Sequence, residues 1–183
     1  MTFLPLLSPP EAESRYVTAT TDPGAAGIHD RVLDGMKTFD KNTEAALAAQ
    51  KTNSDASHLA KENRSFLRRC IRYMLGHGIR QFIDIGSGHI TINNIYELAH
   101  SVDPATKIVY VDRDPAVVKN GRRVLATIET SAIICGDIRE PDDVLKQSDL
   151  SRIIDFSKPV GILMVRVACF FTDSELARIM MAI

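Results

Sequence analysis

The sequence contains no tryptophan, and its only cysteines are Cys70, Cys135 and Cys169. They are far apart, none forms a C-x-x-C pair, and an odd number argues against a disulfide framework. Cys135 and Cys169 stand among apolar neighbours, so we expect small buried thiols in a reducing, cytoplasmic environment. The histidines show no ligand spacing, which argues against a metal site.

The sequence also lacks an excess of one charge and has no long apolar run. The net charge is −1, with 22 basic and 23 acidic residues among 183, so no overall field favours nucleic acid or an anionic membrane. The longest apolar run near the end, PVGILMV, has the length of a buried strand and is too short to span a membrane. The absence of a basic N-terminal region argues against a signal peptide.

The residue patterns along the chain predict three parts. Residues 1–26 are rich in Pro, Ser, Thr and Gly, which predicts a flexible arm. Residues 27–78 are expected to form an N-terminal helical region. Residues 79–183 are expected to form a Rossmann-like domain, for the reasons given below.

The clearest helix is predicted over SHLAKENRSFLRRCIRYMLGHG. Its apolar residues follow the helical repeat, and we expect Arg68, Arg69 and Arg72 on the opposite side. We interpret these arginines as a solvated face, because no aromatic residues are interleaved with them. A nucleic-acid patch is the alternative.

After this helix, strand and helix patterns alternate four times. The segments QFIDI, KIVYV, SAIIC and VGILMVRV predict strands, and they are continuously apolar, as in strands that are buried on both faces. Helical patterns follow each of them. The alternation predicts a doubly wound parallel α/β sheet of about four strands.

The first predicted strand stops at a glycine turn, in FIDIGSGHI. Ligands of such sheets bind beyond the carboxyl ends of the strands, next to the first βα turn. Gly86 and Gly88 would allow positive φ there and would let a ligand approach the main chain. A tight turn that only packs helix on strand is the alternative.

Acidic residues end three successive predicted strands. Asp84 precedes the glycines, Asp112 is placed to accept ribose hydroxyls, and Asp137 is placed to meet an adenine amino group, with Ile138 against the ring. Each could instead be a capping residue, and Asp114 is better explained as a helix cap. Together they predict a nucleoside site.

The spacing of the glycines distinguishes between nucleoside cofactors. The dinucleotide pattern G-x-G-x-x-G requires a third glycine where this sequence has Thr91. The nearby Asp84 also disfavours a pyrophosphate and suits the amino group of S-adenosylmethionine. We therefore predict S-adenosylmethionine, with NAD as the weaker alternative.

Four blocks in the same order give the chain a family resemblance. They are NRSFLRRCIRYMLGHGIRQFIDIGSG, IVYVDRDPAVVKNGRRVLA, GDIREPDDVL and IIDFSKPVGILMV. From about residue 26 onward, the chain resembles a family of actinobacterial S-adenosylmethionine-dependent methyltransferases of the class I, Rossmann-like type. The resemblance implies one set of cofactor-binding residues: Asp84, Gly86, Gly88, Asp112, Arg113, Asp137 and Ile138.

The chain also departs from the family pattern. The N-terminal G-G-K-D-N-F motif is replaced by DGMKTF, and the loop after the glycines reads HIT in place of L-P-T. Only about four of the seven strands of class I methyltransferases are expected, so we interpret the chain as truncated at its C-terminus. The exposed fourth strand would then be a site for a second copy or a completing partner.

Three functional hypotheses remain open. The first is a methyltransferase acting on a small molecule, with His89 as the candidate base, although a capping or surface histidine explains this residue as well. The second is a non-catalytic S-adenosylmethionine-binding or interaction protein. The third is an NAD-dependent oxidoreductase.

Overall fold

The computed structural model describes residues 56–90, 94–165 and 167–183. The expected flexible arm, the first part of the helical region and the DGMKTF segment lie outside these residues. The elements in chain order are helix α1 (Ala56–Gly76), strand β1 (Gln81–Ile85), helix α2 (Ile95–Val102), strand β2 (Lys107–Asp112), helix α3 (Pro115–Val124), strand β3 (Ser131–Cys135), helices α4 (Pro141–Leu145) and α5 (Ser148–Ile153), strand β4 (Gly161–Leu163), a 3₁₀ helix (Val167–Phe170) and helix α6 (Asp173–Ala182).

The four described strands form one parallel sheet in the order β3-β2-β1-β4. Every residue of β1 is buried, as its continuous apolar pattern predicts. The predicted doubly wound parallel α/β fold of the Rossmann-like type is confirmed. The register places Asp84 beside Tyr110 and Asp112 beside Cys135, so the ends of the strands share one edge.

Apolar side chains cover both faces of this sheet in two separate clusters. The first lies between the sheet and helices α1, α2 and α3, and includes Ile71, Leu75 and Phe82. The second lies on the face that carries α4, α5 and α6, and includes Val144 and Ile179. The alternation of inward faces along each strand produces both layers.

Polar side chains cap the two helices α2 and α3, which follow strands β1 and β2. Asn94 Oδ1 accepts the Tyr96 N–H at 2.8 Å, and Asp114 Oδ1 accepts the Ala116 N–H at 2.8 Å. Pro115 follows Asp114 in the first turn of α3, where its missing N–H costs nothing. The prediction that Asp114 caps a helix is confirmed.

The side chain of Gln81 ties the start of β1 to the segment before β4. Its Nε2 donates to the carbonyl of Asp155 at 2.9 Å, and its Oε1 accepts the Asp155 N–H at 2.7 Å. The amide of Gln81 therefore makes the pair of bonds that a neighbouring strand would make. It joins residues that are 74 positions apart in the sequence.

The fourth strand is shorter than the sequence predicted. We expected it over residues 160–167, but it covers only Gly161–Leu163. Its partner β1 pairs with it over Phe82–Asp84 and then enters the glycine turn. After Leu163 the chain makes no further pairing with β1. It continues into the 3₁₀ helix that begins at Val167.

The prediction that Cys135 and Cys169 are buried is wrong. Both are exposed, and Cys70 is partly buried. Cys135 ends the outermost strand of the described sheet, and Cys169 lies in the 3₁₀ helix. Apolar neighbours along the chain did not indicate burial here because no described element covers either position.

Candidate functional site

The carboxyl ends of β1, β2 and β3 border a single cavity of about 430 Å³, a size typical of small-molecule sites. Asp84 is at the end of β1, Asp112 ends β2, and Asp137 follows β3. The structure brings together all the residues that the sequence analysis singled out for this site. The cavity is bordered by Asp84, Gly86, Gly88, His89, Asp112, Arg113, Asp137 and Ile138.

The glycine turn that follows β1 forms part of the cavity wall. Gly86 and Gly88 adopt φ of 68° and 65°, a region that favours glycine. The Gly86 N–H donates to the carbonyl of Val111 at 2.8 Å, which fixes the turn against β2. A Cβ on Gly86 would lie 2.6 Å from Val167 Cγ2. Gly86 is therefore required both for its backbone conformation and for the close approach of the 3₁₀ helix.

Asp84 is a buried carboxyl group that faces this cavity. The residue is only 7% exposed, and within residues 56–90, 94–165 and 167–183 its carboxyl group makes no hydrogen bond or ion pair. Burial, with a further contribution from the charge of Asp112, raises the pKa of Asp84 to about 7. A buried carboxylate without a partner is costly, and a cationic ligand would stabilise its charged form.

Asp112 is held in one orientation by two main-chain groups. Its Oδ2 accepts the Gly88 N–H at 2.8 Å, and its Oδ1 accepts the Asp114 N–H at 2.9 Å. Each carboxylate oxygen keeps a further acceptor position. The carboxylate thus links the glycine turn to β2 and remains able to accept hydroxyl groups from a ligand in the cavity.

Asp137 takes part in an ionic network at the other end of the cavity. Its Oδ2 lies 3.0 Å from Arg139 Nη1 and 3.5 Å from Arg113 Nη1. Partial burial acts to raise the pKa of Asp137, but hydrogen bonds from the Arg139 main chain and side chain, with both positive charges, hold it below its usual range. Asp137 is therefore ionised at neutral pH. Arg139 Nε also lies 3.1 Å from Glu175 Oε1, which connects this loop to α6.

Ile138 borders the cavity next to Asp137, as the sequence predicted. Its side chain is only 4% exposed and belongs to the second apolar cluster. The residue therefore anchors the loop after β3 to the sheet. This anchoring positions the neighbouring Asp137.

His89 follows the glycine turn and is 8% exposed. Its Nδ1 is buried and has no hydrogen-bond partner among the described groups. Burial lowers the pKa of His89, against the opposing influence of the charges of Asp114 and Asp112. The imidazole is therefore neutral at pH 7, which is the form that accepts a proton.

One part of the site was not predicted, and it comes from α1. The expectation that Arg68 lies on a solvated face is wrong, because Arg68 is partly buried and borders the cavity. Arg69 and Arg72 are exposed as expected. Arg64 lies one helical turn before Arg68 and also borders the cavity. That one-turn spacing was the sequence signal for a shared face.

Residues beyond β4 complete the wall. Val165, Val167, Phe170 and Phe171 border the cavity, and the Arg139 guanidinium lies 5.2 Å from the centre of the Phe171 ring. Arg166 is outside the described residues. These side chains add apolar surface to the wall of the cavity.

Neither a cluster of metal ligands nor a membrane-spanning helix is found among the described residues. In the described part of the chain, no group of three or more His, Cys, Asp or Glu residues could hold a metal ion. None of the helices described there is both long and apolar enough to cross a membrane.

Comparison with solved structures identifies relatives with the same architecture. A protein from Thermobifida fusca YX, provisionally described as a methyltransferase, matches with a TM-score of 0.81 and 36% identity, over 88% of this chain and 61% of that one. A DUF574 family protein from Streptomyces avermitilis MA-4680 matches with a TM-score of 0.78 and 27% identity, over 88% of this chain and 64% of that one. The chain thus spans less than two thirds of the length of these relatives.

Comparison with protein families gives the assignment. The model of the S-adenosyl methyltransferase family matches residues 11–182. Among curated proteins, none matches the chain. A family match over nearly the whole chain agrees with the site at the sheet edge and implies S-adenosylmethionine as the cofactor. The chain therefore belongs to the S-adenosyl methyltransferase family.

Proposed function

We propose that the protein is an S-adenosylmethionine-dependent methyltransferase whose acceptor is a small molecule. The observation that carries this proposal is the cavity at the carboxyl edge of the sheet, where a partnerless buried carboxylate lies beside a bare glycine turn. The same edge is where ligands of α/β sheets bind.

The polar groups of the cavity fit this cofactor from one end to the other. Asp84 would receive the cationic ammonium of the methionine portion, and Gly86 and Gly88 would allow that portion to approach the main chain. Asp112 would accept the ribose hydroxyls through its free acceptor positions. Asp137, oriented by Arg113 and Arg139, would accept the adenine amino group beside Ile138.

An NAD-dependent activity fits the same groups less well. A pyrophosphate would bring negative charge to the turn that Asp84 precedes, and Asp112 already holds the Gly88 N–H that a phosphate would require. The buried position of Asp84 makes such repulsion strong, because burial weakens solvent screening. The electrostatics of the turn therefore favour a cationic ligand.

The chemistry divides between the cofactor and the chain. Bound S-adenosylmethionine supplies an electrophilic methyl group on its sulfonium. The chain positions this group and shields it from water, with Val167 and Phe170 in the apolar part of the cavity wall. His89, neutral and next to the glycine turn, is the proposed group that takes a proton from the acceptor.

A small acceptor suits the size and charge of the site. The cavity of about 430 Å³ is bordered by residues of both charge signs, and the whole chain has a net charge of −1. A nucleic-acid acceptor requires a broad basic surface around the site. The exposed Arg69 and Arg72 do not border the cavity.

The cofactor assignment is tested by calorimetric titration of the 183-residue chain with S-adenosylmethionine, S-adenosylhomocysteine and NAD. We expect both adenosyl ligands to bind with micromolar affinity and NAD not to bind. Asp112→Ala should abolish binding, whereas Asp142→Ala, which changes an exposed aspartate outside the cavity, should not. A folded chain that binds neither adenosyl ligand would contradict the proposal.

The acceptor class is tested by transfer of a labelled methyl group in a cell extract. The label should appear in molecules that pass an ultrafiltration membrane. Label confined to retained protein or nucleic acid would refute a small-molecule acceptor and leave the cofactor assignment standing.

A further inference from the structure

Arg68 is a cation in the cavity wall that has no role in the proposed function described above. It is partly buried and borders the cavity. Within the described ranges its side chain makes no hydrogen bond and no ion pair, and its positive charge therefore has no protein partner there. A partly buried arginine in this situation is stabilised when an anion occupies the cavity.

The position of α1 places Arg68 at a particular end of the cavity. Met74 of α1 lies over the start of strands β1 and β4, since a Cβ on Gly161 would be 3.0 Å from Met74 Sδ and 2.7 Å from Phe82 Cδ1. Helix α1 ends at Gly76 and the chain reverses before β1 begins at Gln81. The earlier residues of α1 therefore extend toward the carboxyl ends of β1 and β4.

The dimensions of helices and strands indicate which end of β1 lies beside Arg68. Arg68 precedes Met74 by six residues, which is about 9 Å along a helix axis. Asp84 follows Phe82 by two residues, which is about 7 Å along a strand. Arg68 is therefore beside the end of β1 that carries Asp84, and away from Asp137 at the β3 end of the sheet.

The cavity thus has an unpartnered anion and an unpartnered cation at the same end. A free α-amino acid group presents the complementary pair, an ammonium and a carboxylate on one carbon atom. Arginine suits the carboxylate because its planar guanidinium can donate two parallel N–H groups to it.

We propose that Arg68 binds the α-carboxylate of the methionine portion of S-adenosylmethionine, while Asp84 binds its ammonium. This inference rests on the proposed function and assigns a cofactor-binding role to a residue of α1. It also makes α1 part of the cofactor site, so that the helix preceding the sheet supplies the specificity for an amino-acid tail.

The test compares ligands with and without the carboxylate. Calorimetry on the full chain would measure S-adenosylhomocysteine, decarboxylated S-adenosylmethionine and 5′-methylthioadenosine with wild type and Arg68→Ala. We expect Arg68→Ala to weaken S-adenosylhomocysteine by about tenfold to a hundredfold, the loss typical of a charge-assisted hydrogen bond. The two ligands without a carboxylate should keep their affinity to within about twofold.

Two further variants control for the loss of charge and for folding. Arg68→Lys should recover part of the affinity for S-adenosylhomocysteine, because it keeps the charge and loses the paired donors. Arg69→Ala, which removes an exposed arginine from the same helix, should leave all three affinities unchanged. Circular dichroism would show that each variant is folded.

The outcomes separate this inference from the proposed function. Wild type that fails to bind S-adenosylhomocysteine would overturn both. If wild type and Arg68→Ala bind S-adenosylhomocysteine with the same affinity, the inference alone is overturned. Arg68 would then be available to bind a carboxylate of the acceptor. An equal loss for all three ligands would also overturn it, since the effect would then be structural.

Discussion

Asp84 and Asp112 end adjacent parallel strands, and the charge of Asp112 adds to burial in raising the pKa of Asp84 to about 7. Below that pH the Asp84 carboxyl is protonated and cannot pair with an ammonium. Affinity for S-adenosylmethionine should therefore rise between about pH 6 and about pH 8, where an α-amino group still carries much of its charge. Titration calorimetry across this range measures the effect.

The Asp84→Asn variant is the control for this pH dependence. It should bind more weakly and with a flat profile over the same range. A wild-type profile that is equally flat would contradict a role for Asp84 in holding the ammonium.

Asp84 should also make the free protein less stable as the pH rises. Its pKa is higher in the folded protein than the value of 3.8 for an ordinary aspartate, so the folded state binds more protons between these values. The free energy of unfolding should therefore fall from about pH 4 to about pH 7, by an amount on the order of a few kcal/mol. Urea denaturation of wild type and Asp84→Asn would separate this contribution, which the variant should lack.

A methyl group at three glycine positions should have graded effects. Gly78→Ala should cost about 1–2 kcal/mol, because φ is 83° but nothing lies within 4 Å of an added Cβ. Gly86→Ala should cost more, because its Cβ would also meet Val167. Gly76→Ala has neither problem and should be neutral or slightly stabilising. Chemical denaturation of the three variants gives the order.

The double variant Gly86→Ala, Val167→Gly separates the two contributions at Gly86. The whole valine side chain must be removed, because its Cβ would itself lie 2.7 Å from the added Cβ. Measured relative to Val167→Gly alone, the cost of Gly86→Ala should keep only its backbone part. A cost for Gly86→Ala no greater than that for Gly78→Ala would show that the contact with Val167 is easily relieved.

Replacing His89 by leucine should stabilise the protein while slowing methyl transfer. The substitution removes a buried Nδ1 without a partner, which should raise the free energy of unfolding by about 1 kcal/mol. Because burial lowers the pKa of His89, the folded state binds fewer protons than the unfolded state in mildly acid solution. The advantage of His89→Leu should therefore be largest at low pH and shrink as the pH rises through 6.5.

His100→Leu is the matched comparison, since the Nε2 of His100 lies 2.9 Å from the carbonyl of Thr106. Its loss should destabilise the protein. If His89→Leu transfers methyl groups at the wild-type rate, His89 is not the proton acceptor, and its position in the wall is structural.

The cysteines should react with a thiol reagent according to their exposure. Cys135 and Cys169 are exposed and should be modified quickly in the native protein, whereas the partly buried Cys70 should react more slowly. Mass spectrometry after brief alkylation would identify the modified residues. Slow modification of Cys135 would show that another molecule or segment covers the end of β3 in solution.

The fold and the line of acids were predictable because both depend on local patterns. Strands β1 and β3 match their predicted bounds, since short β-branched runs are bounded by turn residues. Parallel strands place their carboxyl ends at one edge. Asp84, Asp112 and Asp137 therefore had to meet at the same cavity once the sheet was assigned.

The role of Arg68 was not predictable from the same patterns. Helical periodicity separates apolar from charged residues, but it does not tell which charged residue overhangs a strand end. That depends on how far α1 extends beyond the sheet, which Met74 and Gly161 determine by their contact in the folded protein. The early end of β4 has a similar origin. Its partner strand β1 ends just before the turn at Gly86, so β4 cannot pair with it any further.

The paired hydrogen bonds between Gln81 and Asp155 have a consequence for the order of folding. They close a loop of 74 residues, whereas β1 and β2 pair across a much shorter connection. Loops of this length form late, since the entropy of closure must be lost before the contacts are gained. We expect the β1–β2–β3 half to nucleate first and the Gln81 amide to recruit the chain before β4 near the end of folding, so that Gln81→Ala accelerates unfolding more than it slows folding.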